Sequence, residues 1–184
     1  MLMLVASLAM SVLGEPELVA HVPLDTALGK PSIEVMINDR GPYRLLVDTG
    51  ASPPLILNDD LVKELRLETR EGPRIGDPSN PEAIPTRAFD VGTVRIGDVV
   101  VRDVPGLTWN RSALYTGDEA PRGVIGLPLF QGYLVTFDYG GKAFELHDGA
   151  LPEANGHTVL TYRTELGGIP LVPLKLNDVV VEAH

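Results

Sequence analysis

Apolar and polar residues alternate in short stretches along most of this chain, and a period of two marks half-buried strands. Residues 32–37 put Ile33, Val35 and Ile37 on one face. Asn38-Asp39-Arg40-Gly41-Pro42 is a turn cluster, so residues 43–47 read as the returning arm of a hairpin. Pro53-Pro54 interrupts the chain, and Leu55-Ile56-Leu57 resumes an apolar strand. Asn58 is placed to cap a short helix, with Asp59 and Asp60 in its first turn, where the dipole favours negative charge. Leu61 and Leu65 then share a face. Strands are predicted at 89–94 and 99–104 around Ile96-Gly97-Asp98, and at 133–139 and 143–147 around Gly140-Gly141. Residues 127–130 suit one helical turn.

Between these elements lie two long polar excursions, 72–85 and 108–122, the second holding the only tryptophan, Trp109. Residues 15–31 read as a linker or an irregular lead-in strand. Many short strands, few helices and frequent Gly/Pro turns predict an all-β domain, a barrel-like fold with one or two short helices.

Composition narrows the chemistry. The 184 residues suffice for one domain with a real core and part of another, and 44% hydrophobic residues exclude a disordered chain. A formal net charge of −10 argues against nucleic acid and anionic membrane surfaces. With no cysteine, disulfides, thiolate metal sites and cysteine nucleophiles are excluded. His21, His147, His157 and His184 are scattered without metal-ligand spacing, and Asp59-Asp60 reads as a helix start rather than a cation site. No metal or cofactor is expected. Residues 1–13 are apolar but too short to span a bilayer. They are similar to the apolar core of a secretory signal without its basic leader. This favours export, periplasmic or secreted, over a cytoplasmic location.

The stretch that carries chemistry is Leu45-Leu46-Val47-Asp48-Thr49-Gly50-Ala51-Ser52. An apolar run delivers a carboxylate, which is costly unless the carboxylate is paired or functional. Gly50 permits a sharp turn or a close backbone approach. Ser52 lacks the surroundings of a serine nucleophile. Far downstream, Gly123-Val124-Ile125-Gly126 sets apolar residues between glycines; taken alone it reads as a buried strand edge with a tight turn. Asp48-Thr49-Gly50-Ala51 with Val124-Ile125-Gly126, followed by a strand ending Asp138-Tyr139, resembles the aspartic peptidases, and the retropepsin-like branch in particular. Ala51 supports that branch, because pepsin-like enzymes usually carry serine there. The resemblance covers roughly residues 31–150.

That resemblance implies an acid-protease lobe and peptide-bond hydrolysis by water activated between two aspartates. Asp48 would be one of them, with Thr49 bonding across to the partner lobe and Gly50 admitting substrate and water. Ala51 and Ser52 would touch substrate, as would Gly76 and Asp77 in the flap. Here the flap reads Gly76-Asp77-Pro78-Ser79-Asn80-Pro81, stiffer and more polar than the glycine-rich tip of related proteins. Val124, Ile125 and Gly126 would support the loop. The second aspartate must come from a second lobe or a homodimer partner.

Pro173-Leu174-Lys175-Leu176-Asn177-Asp178 resembles Glu34-Val35-Met36-Ile37-Asn38-Asp39, and an apolar run follows each. The domain reading is therefore a lead-in at 1–30, a peptidase lobe at 31–151, a linker at 152–167 and the opening of a second lobe at 168–184. Two other readings compete. One is a catalytically incomplete lobe that binds proteins or peptides; the other is a β-domain in which Asp48 only caps a turn.

Overall fold

The computed structural model describes residues 16–75, 84–109, 117, 120–165, 169–177 and 179–183. Strands run β1 Glu17–Pro23, β2 Ser32–Ile37, β3 Arg40–Asp48 and β4 Leu55–Leu57, then helix α1 Asp59–Leu65. Next come β5 Arg70–Ile75, β6 Ile84–Ile96, β7 Val99–Thr108 and β8 Gly123–Gly126. A single 3-10 turn, Leu127–Phe130, leads into β9 Leu134–Asp138 and β10 Ala143–Asp148. The chain ends in β11 Arg163–Glu165, β12 Ile169–Leu176 and β13 Val179–Ala183. The protein is all-β, as its pattern predicts. Among the described residues no helix is long and apolar enough to cross a membrane.

The main sheet runs β2-β3-β8-β4-β7-β6-β5, and β2 also pairs with β6. That extra pairing closes six strands into a barrel and leaves β5 outside the ring. Alternation puts Ile33, Val35 and Ile37 inside with Leu45, Val47, Leu55, Leu57 and Phe89, all buried. A second sheet, β1-β10-β9, packs on this core. Phe144 of β10 meets Phe130 at 5.2 Å and Phe137 at 5.3 Å between ring centroids. Edge-on and tilted aromatic contacts of this kind add to the burial itself.

Several local expectations change. Part of the lead-in is a regular strand, β1, because Ala20 and Val22 find buried places against β10. The excursion after α1 is narrower than its composition suggests: Arg70–Ile75 pairs with β6, and only 76–83 lies outside the described residues. Most of 110–119 likewise lies outside them. Asn58 stands at the N-cap of α1 but makes no capping bond with its side chain, whose amide reaches the Pro121 carbonyl at 3.5 Å. Gly123–Gly126 is no edge. It is buried throughout and sits between β3 and β4.

A polar cluster ties α1 to the entry of β8. Arg122 donates to Glu64 at 2.6 Å and to Asp60 at 2.8 Å, and lies 5.6 Å from the Tyr43 ring centroid. Tyr43 donates to the other Glu64 oxygen at 2.8 Å. The Arg122 hydrogen bond, then the one from Tyr43, holds the Glu64 carboxyl below the usual carboxylate range. A depressed carboxyl contributes stability above its unfolded pKa and loses it as pH falls through its folded one. Glu64→Gln is therefore expected to cost about 1 kcal/mol at pH 7, a figure discounted for the site's partial exposure. The difference from wild type should close below the carboxylate range. Urea midpoints for both proteins at pH 7 and pH 3 measure this; a gap that persists at pH 3 argues against the ionic origin.

Candidate active site

Asp48 is the last residue of β3. Buried Leu45, Leu46 and Val47 bring it to the barrel's end, where it is half-buried. β3 and β8 are parallel, with Leu46 opposite Val124, Val47 opposite Ile125 and Asp48 opposite Gly126. The two motifs, far apart in sequence, thus lie side by side in register. The loop after Asp48 is tied to it locally. The Gly50 amide donates to Asp48 Oδ1 at 3.0 Å, and the Ala51 amide to the Asp48 carbonyl at 3.1 Å. The first bond orients the carboxylate.

Gly126 is where the loop comes closest. Its amide donates to the Pro54 carbonyl at 3.2 Å. A Cβ there would lie 2.5 Å from the Ala51 carbonyl oxygen and closer still to that of Pro53. Only a glycine lets the 51–54 loop pass over β8 at this distance.

Two cavities meet at Asp48. One, of about 420 Å³, is walled by Gly50, Ala51, Ser52, Pro53 and Ile56, and by Pro73, Arg74, Ile75, Leu107 and Trp109. The other, of about 330 Å³, lies between Asp48, Thr49, Lys30 and the rings of Phe137 and Tyr139. Thr49 is exposed and also lines a cavity of about 700 Å³ shared with Leu134, Val135, Tyr162 and Pro170. The structure therefore groups Asp48, Thr49, Gly50, Ala51, Ser52 and Gly126, with Val124 and Ile125 buried beneath them. Gly76 and Asp77 lie outside the described residues.

Sequence reasoning missed the far wall of the 420 Å³ chamber. Trp109 and Leu107 follow from the parallel pairing of β4 with β7, which local pattern does not reveal. The available signal was an aromatic residue in an otherwise polar excursion. Among the described residues no group of three or more His, Asp or Glu is arranged to hold a metal ion.

A closed six-stranded barrel with an Asp-Thr-Gly loop seated on a Val-Ile-Gly strand defines a lobe of the acid-protease type. Residues 33–129 match the aspartyl protease family, and the chain belongs to it. A retropepsin-like aspartic protease from Rickettsia conorii shares the fold, with a TM-score of 0.52 at 18% identity over 74% of this chain and 96% of that one. The EIAV protease, solved with the inhibitor HBY-793, gives a TM-score of 0.41 at 22% identity over 55% and 86% of the two chains. Basic 7S globulin from soybean gives 0.35 at 18% identity over 70% and 41%. No curated protein matches the chain at a significant level.

Proposed function

We propose that this chain is the catalytic lobe of an aspartic endopeptidase, with Asp48 as one of two aspartates that activate water. The observation that carries this reading is the in-register pairing of Asp48 with Gly126 at the mouth of a chamber of about 420 Å³. A peptide lying across that mouth brings its scissile carbonyl to the carboxylate.

The chemistry needs two carboxylates sharing one proton, because close like charges do not both ionise readily. The ionised partner takes a proton from water, and the protonated one donates to the carbonyl oxygen. No covalent intermediate forms. Among the described residues Asp48 is the only acidic side chain lining the three cavities around this loop. The second carboxylate is accordingly assigned to a second lobe or a second copy, with exposed Thr49 facing it.

The C-terminal strands support a second lobe. β12 and β13 form a hairpin whose register sets Leu176 opposite Val179, with Asn177 in the turn. β2 and β3 do the same, with Ile37 opposite Arg40 across Asn38-Asp39. Asn38 and Asn177 share a left-handed backbone, at φ 47° and 55°. A left-handed backbone at both positions, which favours Asn, supports reading the second hairpin as a repeat of the first. β11 lies within the segment read as linker and pairs with β12. Leu174, Leu176, Val179 and Val180 of this hairpin are exposed.

Incubation with an unfolded protein substrate from acidic to neutral pH tests the proposal. Cleavage blocked by a statine-type inhibitor is the expected result. If the second aspartate comes from another copy, specific activity rises with protein concentration. Binding of peptides without cleavage at any concentration favours the alternative, a peptide-binding module.

A further inference from the structure

β1 is lightly held. It is an edge of the sheet β1-β10-β9, hydrogen-bonded on one side alone. Ala20 and Val22 are its only buried side chains. Its register sets His21 opposite Glu145 of β10, and Glu145 in turn lies opposite Thr136 of β9. Across that pairing His21 Nδ1 is 3.2 Å from Glu145 Oε1. His147, two residues along β10, brings its Nε2 within 3.1 Å of the other oxygen, Oε2. One carboxylate thus meets an imidazole at each of its oxygens. The side chains of Glu145 and His147 are 23% and 22% exposed, which limits screening by solvent, whereas that of His21 is 58% exposed.

We infer that His21, Glu145 and His147 form a pH-sensitive clasp that fastens β1 to β10 in mildly acidic solution and slackens toward neutral pH. A neutral imidazole has one N–H to give to Glu145. A protonated one keeps that bond and adds a charge, and charge-assisted bonds are roughly twice as strong. Imidazoles take up this proton near about pH 6.5. The bond to His147, then the one to His21, holds the Glu145 carboxyl below the usual carboxylate range, so it stays ionised while the rings charge. The clasp is therefore lost as pH rises through the imidazole range, and lost again as pH falls through the folded pKa of Glu145. Neighbouring acids do not replace it. Asp148 of β10 stands opposite Glu17 of β1. Asp138 of β9 stands opposite Ala143 and accepts from the Gly141 amide at 2.7 Å. Among the described residues Glu145 is the only carboxylate bonded to either ring. The clasp bears on the candidate site because two walls of the cavity of about 330 Å³ at Asp48 hang from this sheet. Past β1 the Leu24 amide donates to the Lys142 carbonyl at 2.9 Å, and the chain runs on to Lys30 and Pro31 in one wall. β9 carries Phe137 and leads to Tyr139 in the other.

Hydrogen–deuterium exchange of the full chain at about pH 5.5 and about pH 7.5, corrected for intrinsic exchange rates, tests the clasp. The β1 amides are expected to gain about threefold in protection at the lower pH, measured against the β7 amides, which is the scale that two partly exposed ion pairs support. Glu145→Gln keeps the shape and a carbonyl acceptor but forms no ion pair, and is expected to remove the gain. His21→Gln removes most of it, and His147→Gln a part. Sodium chloride at about 1 M suppresses it in the wild type, and that measurement decides if Glu145→Gln fails to fold. Equal β1 protection at both pH values overturns the inference, and so does a gain that survives Glu145→Gln or high salt. A gain of the same size in β7 overturns it too, since that reports global stability. No readout here is cleavage, so failure of the peptidase reading leaves the clasp standing, and failure of the clasp leaves the peptidase reading untouched.

Discussion

Asp48→Asn is expected to lower peptidase activity by about a thousandfold or more, the scale on which positioned acid–base groups act. The substitution keeps the shape of the side chain and a carbonyl oxygen able to accept from the Gly50 amide, now at 3.0 Å from Asp48 Oδ1. What it removes is the ability to take or share a proton. Folding should survive, because Asp48 is only half-buried and the apolar residues before it do the packing. Thermal unfolding within a degree or two of wild type, together with lost cleavage of casein, is the expected pair of results. Full activity in the variant would exclude the two-aspartate mechanism.

Gly126→Ala is expected to damage the same site through the backbone. The added methyl would meet the Ala51 carbonyl oxygen at 2.5 Å, with the Pro53 carbonyl oxygen nearer. Both are backbone atoms of a loop held at each end, by Asp48 opposite Gly126 and by β4 against β8. No rotamer change relieves such a contact, so the loop must lift off the strand. Overpacking of this kind costs about 3 kcal/mol. In a chain of this size that lowers Tm by roughly 10 °C. Activity should fall with it, since the loop that moves is the one that orients the Asp48 carboxylate. Calorimetry and a cleavage assay on one preparation measure both. An unchanged Tm would mean that the loop yields more easily than its two anchors imply.

The strands were legible because their signal is local. Ile33, Val35 and Ile37 alternate, and a sheet with one buried face demands that alternation. The 3-10 turn at 127–130 and the Asn38-Asp39 hairpin were legible for a similar reason, since proline, glycine and asparagine act on their own backbone. Asn58 shows the limit of such reasoning. It occupies the N-cap, yet its side chain turns to Pro121, a residue brought there by the path of the chain into β8. Arg70–Ile75 shows the same limit in a strand. Its composition suits a loop, but β6 supplies a partner along its length.

The sequence by itself determined the all-β class, the hairpin that carries Asp48, and the pair of motifs, Asp48-Thr49-Gly50 and Val124-Ile125-Gly126, that define the family. Each depends on residue type and near neighbours. Only the tertiary structure decided that β8 lies inside the sheet and that Asp48 pairs with Gly126. The same holds for the placing of Trp109 and Leu107 across the chamber from the aspartate. Parallel pairing joins residues remote in sequence, and no local periodicity encodes which strand lies beside which. Barrel closure makes that choice, because β2 must reach β6 for all six strands to bury their inner faces together.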